Sequence, residues 1–137
     1  MSSFPLKIMT PDGTAFDGAV QSVSCRTITG QVQLMAHHID YCTALGMGEA
    51  HITLEDGSQR SAACMGGMLS MLNGECHLLA TTFEWADSID KERAERSKAR
   101  AEELLAQKNL DARELELAQA RLKRALVRSN VAARSQF

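Results

Sequence analysis

The basic residues near the end of this chain have a type and spacing that could bind an anion. Arg124 and Arg128 lie four residues apart, so a helix would place both guanidinium groups on one face, where they repel each other without an anion. Guanidinium groups suit phosphate because their planar donors match its oxygen atoms. Asp90 and Arg93 would share a helix face in the same way. The alternative is that these residues are ordinary solvated charges on helix surfaces. An exposed ion pair on a helix adds only about 0.3–0.5 kcal/mol to its stability.

The histidines and cysteines raise the question of a metal site or a nucleophile. His37-His38 is followed by Cys42, but this spacing lacks the paired ligands of zinc sites. Cys25, Cys64 and Cys76 are scattered singly along strand-like segments. We therefore expect no metal site and no catalytic thiol, and we expect the cysteines to be reduced and mostly packed in the core.

The elements that must position these residues differ between the two parts of the chain. Of 137 residues, all nine glycines, both prolines and all four cysteines lie before residue 77. Residues 1–86 carry three Lys or Arg and eight Asp or Glu, whereas residues 87–137 carry twelve and nine. The sequence therefore predicts two domains, 1–86 and 87–137. The net charge of -2 and the aromatic content of 4% argue against nucleic acid as a partner, and no apolar run is long enough to insert into a bilayer.

Residues 1–86 are typical of a sheet. Short apolar alternations precede the turn segments Pro11-Asp12-Gly13, Asp56-Gly57 and Asn73-Gly74. Asp-Gly and Asn-Gly suit the positive φ values of two-residue hairpin turns. Strands at this spacing predict an antiparallel β-sandwich or barrel. Gly66-Gly67 within an apolar run indicates a bulge or a close backbone approach.

Residues 87–134 contain no Gly or Pro and are rich in strong helix formers, which predicts a C-terminal α-helical hairpin. Two stripes recur with helical periodicity: Ala94, Ser97, Ala101, Leu104 and Leu105, then Leu115, Ala118, Leu122, Ala125, Leu126 and Ser129. Residues 107–110 would connect the helices, and Asp111 with Glu114 resembles a capping box. Such narrow stripes bury little apolar area, so at ~25 cal/mol per Å² the hairpin is only marginally stable. The hairpin is then either a mobile element or one that stays packed on the sheet domain.

This arrangement resembles the epsilon subunit of the F-type ATP synthase over nearly the whole chain. The segment 6–13 is similar to the family's opening strand and turn, Gly66-Gly67-Met68-Leu69 to its Gly-Gly segment, and residues 83–94 to the junction between its domains. The resemblance implies a non-catalytic central-stalk subunit of a proton-translocating bacterial synthase, peripheral on the cytoplasmic face of the cell membrane. The alternative is a free-standing binding module whose hairpin docks a different helical partner.

The resemblance also implies partners for the sandwich, which would bridge the central shaft (gamma) subunit and the membrane rotor c-ring. The family's loop facing the ring has a Pro-Gly-His-x-Pro core. Here Ala36 and Asp40 replace the prolines and His37 replaces the glycine, which is expected to free the backbone from one fixed turn. The ring contact is assigned by resemblance to Gln31, His37, His38 and Asp40.

In bacterial members of the family the hairpin can bind ATP. The resemblance assigns this site to Glu84, Ile89, Asp90, Arg93, Ala94, Arg124 and Arg128, with the small Ala94 letting the adenine approach closely. The chain has no Gly-rich Walker loop, so ATP would be a regulatory ligand without hydrolysis, and no cofactor is required. The resemblance further implies that an extended hairpin inhibits ATP hydrolysis. The residues that would pair with acidic segments of the catalytic beta subunits are Lys123, Arg124, Arg128 and Arg134.

Overall fold

A computed structural model describes residues 2–134, apart from the side chain of Arg134. The strands are β1 (Phe4–Thr10), β2 (Gly13–Thr27), β3 (Gly30–Met35), β4 (Tyr41–Leu54), β5 (Gln59–Leu72) and β6 (Glu75–Trp85). A 3-10 turn, Ala86–Ser88, precedes the helices α1 (Lys91–Leu105) and α2 (Ala112–Arg134). The chain divides into two compact units after Trp85. We call residues 2–85 the sheet domain and residues 86–134 the helical hairpin.

The strands of the sheet domain form one sheet that closes on itself. Their order is β1-β6-β5-β4-β2-β3, and β1 also pairs with β2. The long strand β2 permits this closure, because its first half pairs with β1 and its second half with β4 and β3. The predicted β-sandwich followed by a helical hairpin is confirmed. One pair, β1 with β6, is parallel rather than antiparallel, because it joins the two ends of the domain rather than neighbours in sequence.

The core of the sheet domain lies between the faces that this closure brings together. Alternate side chains of each strand point inward, as the two-residue period of a strand requires. Leu6, Ile8, Ile52, Leu69 and Leu78 are among the largest fully buried side chains. Each contributes about 1.5–3 kcal/mol of burial free energy, so the sheet domain is a firm platform for the turns at its ends.

The Asn73-Gly74 turn is the two-residue hairpin turn that the sequence predicts. Their φ values are 52° and 80°, and Leu72 pairs with Glu75 across them, as in a type I′ turn. At the first turn, Thr10 pairs with Gly13. The two loop residues are therefore Pro11 and Asp12, whereas the sequence pattern predicts Asp12 and Gly13.

At Asp56-Gly57 the prediction of a two-residue turn is wrong. The backbone N–H of Leu54 donates to the carbonyl of Ser58 at 2.8 Å, which encloses a three-residue loop, and Gly57 takes a positive φ of 90°. The Asp56 carboxylate accepts from the hydroxyl and the backbone N–H of Ser58 at 2.6 and 2.9 Å. These bonds favour the wider loop, and they hold the pKa of Asp56 below its ordinary value.

Gly67 marks a close approach of β5 to β6, as the sequence predicts. Its φ is 118°, and a Cβ atom there would collide with the carbonyl oxygen of Leu79 and lie 2.8 Å from Cα of Ala80. Both obstacles are backbone, so no flexible side chain can yield. Gly66 has a φ of 73°, but a Cβ atom there meets only the side chain of Thr81, whose hydroxyl lies 3.5 Å away.

A seam of small side chains joins the two helices. Its buried residues are Ala94 and Ala101 on α1, and Ala118, Ala125 and Ala132 on α2. The spacing of seven residues within each helix keeps them on one face. Because alanine buries little area, the seam lets the helices approach closely but stabilises the hairpin only modestly.

Two residues of the predicted stripes are exposed rather than packed between the helices. Ser97 is exposed, and Leu115 is 40% exposed. The hydroxyl of Ser129 contacts Glu95, so in an antiparallel pair Leu115 lies opposite the connection between the helices rather than opposite α1. Val131, which the stripe prediction omitted, is buried.

The change Gly67→Ala is expected to lower the free energy of unfolding by about 3 kcal/mol or more, because the φ value and the backbone collision both oppose a side chain. Gly66→Ala is the matched control, and it should cost only about 1–2 kcal/mol, the strain of a left-handed residue with room around it. Urea unfolding followed by circular dichroism measures both changes. Equal losses at the two positions would contradict the close approach.

Candidate functional site

A groove of about 570 Å³ lies between α1 and α2. Ala101 and Ala125 of the seam form its floor, since their small side chains leave the space above them open. We call it the arginine groove, and its lining residues are Ser97, Arg100, Ala101, Glu103, Leu104, Gln107, Arg121, Arg124, Ala125 and Arg128.

The charges of the arginine groove are strongly unbalanced. Four guanidinium groups and one carboxylate, that of Glu103, line it, so positive charges exceed negative by three. Within residues 2–134, Arg100, Arg121 and Arg124 form no ion pair with a carboxylate. Arg124 is half-buried, which reduces the screening of its charge by water. Like charges crowded in this way repel each other, so the groove favours an anion with several negative oxygens.

Aspartate caps at the starts of both helices position these side chains. The carboxylate of Asp90 accepts the backbone N–H of Arg93 at 3.1 Å, and that of Asp111 accepts the backbone N–H of Glu114 at 2.7 Å. The predicted cap at Asp111 is therefore confirmed. Each cap fixes where its helix begins, and hence which side chains face the groove.

A polar bond between the helices adds to the alanine seam. The buried hydroxyl of Ser129 on α2 donates to the carboxylate of Glu95 on α1 at 2.7 Å. This bond crosses between the helices at the end away from their connection. Separating the helices would break it, so it favours the closed hairpin.

The sequence-predicted nucleotide residues fall at several places. Arg124 and Arg128 both line the arginine groove. Ile89, Arg93 and Ala94 belong to the helical hairpin, as the groove does, but they do not line the groove. Arg93 is exposed, and Ala94 is buried in the seam.

The two acidic members of the predicted set have other positions. Asp90 uses one carboxylate oxygen as the cap of α1, which leaves its second oxygen for a ligand. Glu84 lies in β6, within the sheet domain. The seven-residue assignment as a whole stays a prediction.

Sequence reasoning missed two arginines of the groove. Arg121 precedes Arg124 by three residues and Arg128 by seven, so helical periodicity alone could have placed it on their face. Arg100 lies on the other helix, and only the packing of α1 against α2 brings it to the groove.

The loop at residues 36–40 contains one left-handed residue and is bonded to the neighbouring hairpin turn. His37 has a φ of 67°, the left-handed conformation that the family's glycine would adopt easily. The Asp40 carboxylate accepts the backbone N–H of Asn73 at 3.0 Å, which ties this loop to the β5–β6 turn. His38 places its Nδ1 atom 2.7 Å from the carbonyl of Ile39 and its ring 5.7 Å from that of Tyr41.

Three of the four cysteines are buried in surroundings that disfavour the thiolate. Burial raises the pKa of Cys25 to about 11 and the pKa values of Cys64 and Cys76 to about 12, so these thiols are protonated near neutral pH. Cys42 is exposed. Within residues 2–134, no cluster of His, Cys, Asp and Glu is arranged to hold a metal ion. In the same range, neither helix has the length and apolar character needed to cross a membrane.

Comparisons with known proteins find the same division of the chain. Residues 3–86 match the family described as ATP synthase, Delta/Epsilon chain, beta-sandwich domain, and residues 87–133 match its long alpha-helix domain. An ATP synthase epsilon chain of Caldicellulosiruptor bescii is 37% identical over 132 residues, covering 96% of this chain and 95% of that protein. One of Bacillus velezensis is 36% identical over 132 residues, covering 96% and 98%.

A solved structure has a similar fold despite low sequence identity. It is a chain in the Euglena gracilis mitochondrial ATP synthase, with a TM-score of 0.83 and 17% identity, covering 97% of this chain and 82% of that one. A likeness at this identity concerns the fold alone.

The change His37→Gly is expected to raise the free energy of unfolding by about 1 kcal/mol, because it removes the strain of a side chain in the left-handed region. Asn73→Gly is the control, since asparagine tolerates this region and should gain only about 0.3 kcal/mol. Thermal and urea unfolding measure both variants. A gain at residue 37 no larger than that at residue 73 would contradict the strain assigned to His37.

Proposed function

Because this chain belongs to the ATP synthase delta/epsilon family, we propose that it serves in the central stalk of a bacterial F-type ATP synthase and couples rotor rotation to ATP synthesis. It is a non-catalytic subunit, as its epsilon-chain relatives are. Its proposed place is peripheral, on the cytoplasmic face of the cell membrane.

The sheet domain is the proposed coupling element, held between the gamma shaft and the c-ring. The end that carries residues 36–40 supports the ring contact, because apolar side chains are exposed there. Ile39 is 79% exposed, Leu72 57% and Met35 49%. The bond from Asn73 to Asp40 joins the segments that carry Leu72 and Ile39, so these side chains project from a fixed backbone. In this proposal Gln31, His37, His38 and Asp40 form the polar part of the contact.

The helical hairpin is the proposed ATP sensor, and the observation that carries this proposal is the arginine groove. Four guanidinium groups face one space, and three of them lack a carboxylate partner within residues 2–134. A triphosphate would neutralise their repulsion through charge-assisted hydrogen bonds. The chain lacks a Walker loop, so the bound nucleotide would be sensed rather than hydrolysed.

The same basic residues support a second role, the inhibition of ATP hydrolysis. The helix α2 has 23 residues and is therefore about 35 Å long, enough to reach along a central shaft if the hairpin opens. Lys123, Arg124 and Arg128 would then pair with acidic segments of the catalytic beta subunits. The side chain of Arg134, assigned to this face by resemblance, lies outside the described residues.

ATP should bind the isolated chain, and Arg124→Gln should weaken this binding about tenfold or more, because it removes charge-assisted hydrogen bonds worth about 1.5–3 kcal/mol. Isothermal titration calorimetry measures the affinity. Arg113→Gln is the control, since Arg113 is exposed on the same helix and does not line the groove. Equal effects of the two changes, or no binding of ATP at millimolar concentration, would refute the sensor.

Deleting residues 88–137 should raise ATP hydrolysis by the assembled synthase about fivefold or more, within the usual range of coupling between sites. The expected cause is the loss of the basic helix that would contact the catalytic subunits. Subunit composition of the purified complex serves as the control for assembly. Unchanged ATP hydrolysis by a fully assembled complex would refute the inhibitory role.

A further inference from the structure

The Asn73-Gly74 turn contains a side chain and a backbone nitrogen that can react with each other. The side-chain amide of Asn73 has an electrophilic carbon, Cγ, and the backbone nitrogen of Gly74 is the next nitrogen along the chain. Attack of this nitrogen on Cγ closes a succinimide ring. The attack meets least hindrance when the second residue is glycine, which has no Cβ atom. This turn is therefore a candidate site of chemical modification.

The structure leaves both reacting groups unengaged. Within residues 2–134, neither the side-chain amide of Asn73 nor the backbone N–H of Gly74 forms a hydrogen bond. The bond that Asn73 makes to Asp40 uses its backbone N–H, so it does not hold the side chain. Both residues of the turn are exposed, so solvent water reaches the ring once it has formed.

The Asp56-Gly57 pair has a similar sequence but is held by hydrogen bonds. The backbone N–H of Gly57 donates to the carbonyl of Leu54 at 3.0 Å. The Asp56 carboxylate accepts two bonds from Ser58, and an ionised carboxylate is a poorer electrophile than an amide. Ring closure is therefore expected to be faster at residue 73 than at residue 56.

The product at residue 73 would disturb the bond that ties the neighbouring loop to this turn. The backbone N–H of Asn73 donates to the carboxylate of Asp40 at 3.0 Å, and Glu75 follows two residues later. A carboxylate at residue 73 would stand beside both of these negative charges and repel them. An isoaspartate would also insert a methylene group into the backbone, which the pairing of Leu72 with Glu75 across a two-residue turn does not accommodate.

We propose that Asn73 is a site of spontaneous deamidation that releases the loop at residues 36–40 from the β5–β6 turn. The Gly74 nitrogen forms a bond to Cγ of Asn73 and gives up its proton, while the bond from Cγ to the amide nitrogen breaks and ammonia leaves. Water then opens the succinimide ring at either carbonyl carbon, which yields aspartate or isoaspartate without oxidation or reduction.

The consequence for function rests on the proposed ring contact. Leu72 and Ile39 lie on the two segments that the bond from Asn73 to Asp40 joins. Loss of this bond would free the two apolar side chains from their fixed positions. A subunit that has deamidated would therefore couple rotor rotation less tightly than a new one.

The test of the reaction incubates the full chain in neutral buffer and follows each asparagine by peptide mass spectrometry. Deamidation should be about tenfold or more faster at Asn73 than at Asn109, which is also exposed outside the helices but precedes the bulky Leu110. Isoaspartate should appear at residue 73 before it appears at Asp56. Equal rates at Asn73 and Asn109 would overturn the inference.

The test of loop release compares Asn73→Asp with Asn73→Gly, which keeps the backbone N–H and the left-handed turn but cannot deamidate. The N–H of His38 donates to the carbonyl of Met35 beside this loop. Its hydrogen exchange should be about tenfold faster in Asn73→Asp and unchanged in Asn73→Gly. Unchanged exchange in both variants would overturn the release of the loop.

The assembled synthase separates this inference from the proposed function. Complexes rebuilt with an incubated chain should pump fewer protons per ATP hydrolysed than those with a fresh chain, whereas incubation of the Asn73→Gly chain should change nothing. If the fresh and deamidated chains couple equally, the inference fails and the coupling role stands. If the fresh chain does not restore coupling, the coupling role and the functional consequence both fail, while mass spectrometry and hydrogen exchange still decide the deamidation.

Discussion

Repulsion among the guanidinium groups of the arginine groove is the constraint on which the helical hairpin depends. Arg100 on α1 faces Arg121, Arg124 and Arg128 on α2 across one space, with Glu103 as the single acidic residue in the lining. Against this repulsion act the alanine seam, which buries little area, and the Ser129–Glu95 bond at the end away from the connection. In the proposed sensor, an empty groove would therefore favour separation of the helices, and an anion in the groove would favour their closure. Under this proposal, the small area buried between the helices is what would let an anion shift the hairpin.

The sheet domain is built in the opposite way, with a large apolar core and a fixed last residue. Trp85 ends β6, and its indole N–H donates to the carbonyl of Ala15 at 3.4 Å. The guanidinium group of Arg60 lies 3.7 Å from the centre of its ring, and the rings of Phe16 and Phe83 pack edge-on against it at 6.1 and 4.9 Å. The chain thus leaves the sheet domain from an anchored position. A firm domain that ends in an anchored residue can transmit force, whereas a loosely packed one would deform.

Much of the fold could be predicted because local chemistry determines it. Residues close together in the chain predict the Asn73-Gly74 turn, the cap at Asp111 and the seven-residue recurrence of alanine. Local sequence does not predict the parallel pairing of β1 with β6 or the approach of Arg100 to the arginines of α2. Both depend on contacts between segments distant in the chain. The loop at 36–40 falls between these cases. The loss of Pro and Gly removes the local sequence signal for a turn. The chain still turns there, with His37 in the left-handed conformation and Asp40 bonded to the distant Asn73.

The free-energy difference that the proposed switch requires determines which contacts in the groove could operate it. Moving a two-state equilibrium from about 1:99 to 99:1 requires a ligand that binds one state about 10⁴-fold more tightly, or about 5.5 kcal/mol. One charge-assisted hydrogen bond contributes about 1.5–3 kcal/mol, so two to four such bonds must exist in the closed hairpin alone. Arginines on α2 by themselves cannot supply this difference, because they stay together when the helices separate. The difference would have to come from contacts that need both helices, and Arg100, which lines the groove from α1, is placed to make such contacts.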